Sequence, residues 1–171
     1  MRGAVVGEDP EREFEAWARS RQRGFLRSAI LLTGEQTSAE DLVQDALLKV
    51  ADRWSRLRHE APDAYARRVI YNGAVSRWRR RRRETPTAEL PDAGAPGRSE
   101  AWLAGADVRA ALQGLTPRQR AVLVLRYYDD LSEQQIADTL GVSTGTVKSQ
   151  AHVALRRLRE EFDVMTAEEA R

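Results

Sequence analysis

Apolar positions along this chain recur at helical spacing, and no stretch shows the strict alternation of a half-buried strand. Phe14, Trp17, Ala18, Phe25, Ala29 and Ile30 share one face of a first helix that should stop near Thr33-Gly34. Thr37 with Glu40 three residues later has the form of a capping box. Leu42, Val43, Ala46, Leu47, Val50 and Trp54 then trace the apolar stripe of a second helix, whose other face carries Glu40, Asp41, Gln44 and Asp45. Pro62 suits the first turn of a third helix that runs to Tyr71. Asn72-Gly73 interrupts the pattern, and a fourth helix continues through Trp78 into a run of arginines. From about Glu84 to Gly105, Pro86, Pro91 and Pro96 with Gly94 and Gly97 break any periodicity and mark a linker. Regularity returns from Ala106 to Leu115, and Thr116-Pro117 with Gln119 opens an apolar helix from Arg118 to Tyr128. The pattern therefore predicts an all-α chain of two small helical domains, residues 11–83 and 106–162, joined by a flexible linker over 84–105.

The second domain ends in a helix-turn-helix pattern from Leu131 to Arg159. Ser132 and Gln135 form a capping box, and Leu131 sits where it could staple against Ile136. Ile136, Ala137 and Leu140 face inward, and Gly141 falls at the position where a left-handed turn needs glycine. Ser143 then caps a longer helix with Val147, Ala151, Ala154, Leu155, Leu158 and Phe162 on one side. Thr144, Lys148, Ser149 and His152 lie on the other, where the first turns of such a helix enter a major groove. Its free N–H groups favour a phosphate, and Arg156, Arg157 and Arg159 offer further phosphate contacts. His152 by itself reads as an ordinary surface histidine.

A net charge of +2 does not by itself predict a polyanionic partner, but the distribution does. Six arginines lie within the seven positions Arg77 to Arg83, while acidic residues gather at Glu40, Asp41 and Asp45 and again after Glu160, so the surface is expected to divide by sign. So dense a cationic block repels itself unless anions neutralise it. Trp78, inside that block, reads more readily as a core residue than as a stacking platform. The chain has no cysteine and two histidines, His59 and His152, which excludes a disulfide framework and a Cys/His zinc site. No convergent nucleophile, base or metal cluster is visible, so neither an enzyme nor a cofactor is expected. No segment approaches the roughly 20 apolar residues of a membrane span, and Met1 to Pro10 lacks the apolar core of a signal peptide, so a cytoplasmic protein is expected.

Three motifs in order carry a family resemblance: Ala39-Glu40-Asp41-Leu42-Val43-Gln44-Asp45, then Tyr65 to Asn72 leading into the arginines, then Leu131 to Arg159. From about Glu11 to Phe162 the chain resembles a small bacterial sigma factor of the extracytoplasmic-function group (group IV), similar to an actinobacterial sigma-E-like subgroup. The resemblance implies a factor that binds core RNA polymerase, through the β′ clamp and β subunits, and directs promoter-specific initiation by reading −35 and −10 elements. It assigns Asp41, Gln44 and Asp45 to the polymerase and Asn72 to a flipped −10 base, with Arg77, Trp78, Arg80 and Arg81 on the same DNA. For the −35 element it assigns Ser143, Thr144, Thr146, Lys148, Ser149, His152 and Arg156. It also implies an anti-sigma partner and a monomer when free. Where many relatives carry arginine this chain has Gln150, Val153 and Leu155, so its −35 reader should bind weakly without polymerase. The alternative is an autonomous regulator, because response regulators share the wording from Gly141 to Lys148. Such proteins place an α/β domain before it, and no strand pattern is present there.

Overall fold

The computed structural model describes residues 9–84 and 108–169, with side chains to residue 163, and among these residues the chain is helical and contains no strand. Asp9 accepts the Glu11 N–H and starts helix α1, Pro10–Thr33, which ends on Gly34 in the left-handed conformation, φ 77°. Helix α2 spans Gln36–Ala51, α3 is the short Trp54–Leu57, and α4 runs from Pro62 to Glu84. Helix α5 covers 108–113, and α6, Pro117–Leu123, passes into a π-helical turn over Val124–Tyr128. Helices α7, Glu133–Leu140, and α8, Thr144–Glu169, form the helix-turn-helix. No described helix is long and apolar enough to cross a membrane.

Both capping boxes expected in the second domain are present, Thr116 with Gln119 and Ser132 with Gln135. The one expected in the first domain is not. Helix α2 is entered at Glu35, without a side-chain cap, and the Glu35 carboxylate accepts instead from the Ser38 hydroxyl at 2.6 Å. The expected break at Asn72-Gly73 is also absent, because α4 continues through it. A Cβ on Gly73 would come 2.4 Å from Leu42 Cδ2, so this glycine lets α4 approach α2 closely rather than ending a helix. Most of the linker expected over 84–105 lies outside the described residues.

Gly141 is left-handed, φ 65°, and no atom would obstruct a Cβ there. Replacing it by alanine should therefore expose backbone strain alone, lowering stability by about 1–2 kcal/mol. A thermal melt tests this, and an unchanged midpoint would contradict it.

The apolar faces meet in one continuous core. Phe25, Leu42, Val50, Trp54 and Ile70 of the first domain are contiguous with Val122, Leu125, Ile136 and Val147 of the second. At the far end of the first domain, Trp54 packs with Phe14 and Trp17 at centroid distances of 5.4 and 5.5 Å, and Trp17 donates to Asp63 at 2.7 Å. Two expected core residues of α8, Leu155 and Phe162, are instead partly exposed. The inner stripe narrows to Val147, Ala151 and Ala154, with Leu158 at its margin.

Candidate nucleic-acid interface

The unbroken α4 sets the geometry of the first candidate surface. Tyr65, Val69, Asn72, Gly73 and Ser76 recur at spacings of three and four, so a straight helix aligns them on one face. Opposite them lie Asp45 and Lys49 of α2 and Arg53 just beyond it. Together they line an open groove of about 340 Å³. Asn72 is exposed at this groove, with its carboxamide available to pair. The Arg53 guanidinium lies 5.7 Å from the centre of the Tyr65 ring, and Lys49 binds Asp45 at 2.9 Å. Lys49 and Arg53 escape a reading of the sequence because the polar face of α2 looks like ordinary solvated surface, and the place of Tyr65 across from them is set by packing. The i,i+4 spacing of the two cations beyond the acidic motif was the signal available.

Asp41, Gln44 and Asp45 are all exposed along one side of α2, and Leu48, 64% exposed, continues that side by a further turn. The expected division of the surface by sign does not hold here. Arg77 reaches Asp41 at 3.4 Å, and Arg81 binds Glu35 at 2.8 Å and lies 3.3 Å from the Ser38 hydroxyl. The arginine block is thus partly neutralised by the chain's own acidic residues. The Ser38 hydroxyl and then Arg81 hold the Glu35 carboxyl below its usual range. Arg79, Arg80, Arg82 and Arg83 remain on the surface. Trp78 is not a core residue: it is 38% exposed, with Arg82 5.4 Å from its ring centre. A half-exposed ring flanked by a guanidinium is a stacking surface.

The second candidate surface is the start of α8. Ser143 accepts the Thr146 N–H at 3.1 Å and meets the Thr146 hydroxyl at 2.9 Å, while the Ser149 hydroxyl donates to the Thr146 carbonyl at 3.0 Å. The hydroxyls of Ser143, Thr146 and Ser149 thus stabilise the helix entry. Lys148, Ser149 and His152 project from exposed positions beyond it, with Thr144 half-buried at the entry. Lys148 lies 3.5 Å from Glu133, which also meets Arg126 at 3.4 Å, so the lysine leans toward the start of α7. Arg156 pairs loosely with Glu160 at 3.8 Å and stays exposed. Arg157 differs from the expectation of a phosphate contact: it donates to Gln119 at 3.2 Å, tying α8 to the cap of α6. A fit to duplex DNA follows from the exposed cation and donors on the first turns of a capped helix.

Comparison with known proteins bears on both surfaces. Residues 18–84 match the family Sigma-70 region 2, and residues 111–160 match Sigma-70, region 4. The chain is 42% identical over 153 residues to the RNA polymerase sigma-E factor of Streptomyces avermitilis, covering 88% of this chain and 86% of that protein. It is 34% identical over 140 residues to the ECF RNA polymerase sigma factor SigL of Mycobacterium tuberculosis, covering 78% and 79%. Among solved structures it is similar to the sigma factor RpoE of Bartonella quintana, crystallised with the anti-sigma factor NepR. The TM-score is 0.70 at 27% identity, over 90% of this chain and 98% of that one. CnrH, in complex with the cytosolic domain of CnrY, shares the fold with a TM-score of 0.66 at 23% identity, over 90% of each chain.

Proposed function

The chain belongs to the sigma-70 family, as an RNA polymerase sigma factor of the extracytoplasmic-function type, and on that premise we propose how its residues divide the work of initiation. A sigma factor binds core RNA polymerase and directs it to promoters. The alternative of an autonomous regulator is not favoured, because both sigma regions match in order along one chain.

Residues 11–83 form the module that binds polymerase and opens the −10 element, 106–162 form the module that reads the −35 element, and 84–105 join them. Asp41, Gln44 and Asp45 meet the polymerase at its β′ clamp. Asn72 receives an unstacked −10 base in the groove, Tyr65 offers it a ring, and Lys49 and Arg53 attract the phosphates of the same strand. Arg77, Trp78, Arg80 and Arg81 extend that track. Ser143, Thr144 and Thr146 orient the entry of α8, and Lys148, Ser149, His152 and Arg156 meet the −35 duplex. No covalent step is catalysed. Captured bases offset the unpairing of the duplex, and two modest modules on one polymerase raise each other's effective concentration. Acting on DNA with polymerase places the protein in the cytoplasm. The likeness to a sigma factor crystallised with its anti-sigma factor supports a partner of that kind here.

The observation that carries this reading is the groove: α4 brings a carboxamide and a ring, and α2 with the residue just beyond it brings two cations, to a single opening beside the arginine block. Purified core polymerase plus this chain should start transcription at promoters selected from a genomic library. Failure on every promoter would overturn the reading. Within that assay, Lys148→Ala should reduce initiation by about 5- to 50-fold and relax preference at one −35 position, the loss expected for a single base-contacting cation. Equal losses on all −35 sequences would make Lys148 a phosphate contact instead.

A further inference from the structure

Between Thr144 and Gln150 the sequence of α8 has a single cation, Lys148, so any charged contact with DNA at the head of that helix depends on it. The chain holds 26 arginines and two lysines. An arginine here would bring a planar fork that matches a base edge by its own shape, whereas a lysine is a point charge on a flexible stem, free to settle on any phosphate nearby. Something else must aim it.

Glu133 stands where it can do so. Its carboxylate turns one oxygen to each of two cations: Oε2 lies 3.5 Å from Lys148 Nζ, and Oε1 lies 3.4 Å from Arg126 Nη1. The three residues come from three elements, the π-helical turn, the first turn of α7, and α8. Arg126 has a contact of its own, its guanidinium lying 5.6 Å from the centre of the Tyr127 ring. The carboxylate is thus engaged at its far oxygen while the near one faces the lysine. With side-chain exposures of 34% for Glu133 and 66% for Lys148, the pair orients the lysine without sequestering it.

The same carboxylate also sorts what the lysine can bind. A duplex placed so that a phosphate reaches Lys148 Nζ brings that phosphate close to Glu133, and the two anions repel. The acceptors on a guanine edge are neutral and meet no such repulsion. A negative charge set beside a reading cation therefore works against the indiscriminate contact and leaves the specific one.

Resting on the function proposed above, we infer that Glu133 is a positioning residue that makes Lys148 a reader of −35 bases and not a general phosphate clamp. The test uses holoenzyme assembled from core polymerase and the full chain. One readout is the ratio of initiation at two promoters that differ only at the −35 position where Lys148→Ala relaxes preference. The other is retention on duplex without a promoter. Glu133→Gln keeps the size of the side chain and removes its charge. It should lower the ratio by about 2- to 5-fold, the range of one exposed charge pair. Retention on promoterless duplex should rise by a similar factor, most at low salt, and its salt dependence should steepen because another cation displaces counterions. Glu133→Asp, which keeps the charge on a shorter stem, should hold retention at its original level and keep at least half of the discrimination that glutamine loses.

A favourable charge at the start of α7 with no role in reading gives a different pattern. Both promoters then fall together, and Glu133→Gln acts alike whether Lys148 is present or replaced. On the inference made here, Glu133→Gln leaves the ratio unchanged once Lys148→Ala is in place. An unaltered ratio in Glu133→Gln alone, or an equal effect in the two backgrounds, overturns the inference and leaves Lys148 as a −35 reader. If Lys148→Ala itself does not change preference at any −35 position, or no promoter supports initiation, the reading of Lys148 fails and the role of Glu133 with it.

Discussion

Asn72→Ala should reduce promoter-specific open-complex formation by roughly 10- to 100-fold while core binding stays unchanged, a loss equivalent to removing one bidentate base contact. The expectation follows from the position of Asn72. It is exposed on the groove face of α4, midway between Tyr65 and Ser76, with Lys49 and Arg53 across the opening. A carboxamide can donate and accept at once, so it pairs with one base edge and leaves the wrong edge unsatisfied. Alanine forfeits both bonds without disturbing the helix, since alanine is the better helix former. Asn72→Asp is the sharper variant. It keeps the shape, removes the donor and adds a charge that repels the strand, and should fall at least as far. Permanganate reactivity of unpaired thymines reads melting directly, and electrophoretic binding to core reads assembly. Unaltered melting in both variants would remove Asn72 from the site.

Reversing Asp41 and Asp45 together to lysine should weaken core polymerase binding by about 100-fold or more, because like charges set against a complementary surface cost several kcal/mol. In the free chain both carboxylates pair with cations, Asp41 with Arg77 at 3.4 Å and Asp45 with Lys49 at 2.9 Å. Those pairs are exposed and contribute about 0–1 kcal/mol each, so the variant should stay folded and the loss should appear in binding. Arg77 and Lys49 would also lose their partners, which makes the second control informative. Single Arg77→Ala should leave core affinity within about twofold if the acidic face, and not its pairing with Arg77, is what polymerase reads. A competition assay against a labelled sigma factor measures both. Undiminished affinity in the double reversal would dismiss this face as the docking surface.

Much of the second module was legible without coordinates, because its instructions are local. A serine or threonine followed three residues later by glutamine closes a hydrogen-bonded ring within four residues, and glycine after an apolar run permits a left-handed turn. Thr116 with Gln119, Ser132 with Gln135, and Gly141 accordingly appear as expected. Ser143 at the head of α8, and with it the exposed Lys148, Ser149 and His152, followed from the same short-range chemistry. Where the same rule failed, at Thr37 and Glu40, the helix is entered earlier, at Glu35, which is engaged by Ser38 and by Arg81 of α4, while Glu40 accepts from Gln36.

The sequence by itself therefore determined an all-helical chain, two modules with a proline-rich stretch between them, the helix-turn-helix and the order of the motifs, since each is written in residues a few positions apart. Tertiary structure decided the rest. Whether Asn72-Gly73 ends a helix depends on Leu42 of another helix, which needs the space a Cβ would fill, and that contact makes α4 continuous and aligns the groove. The exposure of Trp78 and Leu155 and the bond from Arg157 to Gln119 depend on which neighbours arrive. The packing of one module on the other brings together groups far apart in sequence, Ser28 with Asp129, Gln113 with the Leu31 carbonyl and Arg120 with the Leu32 carbonyl, contacts that exist only when the helices meet. Local hydrogen bonding can be read from spacing along a chain, whereas close approach and the satisfaction of buried polar groups belong to packing.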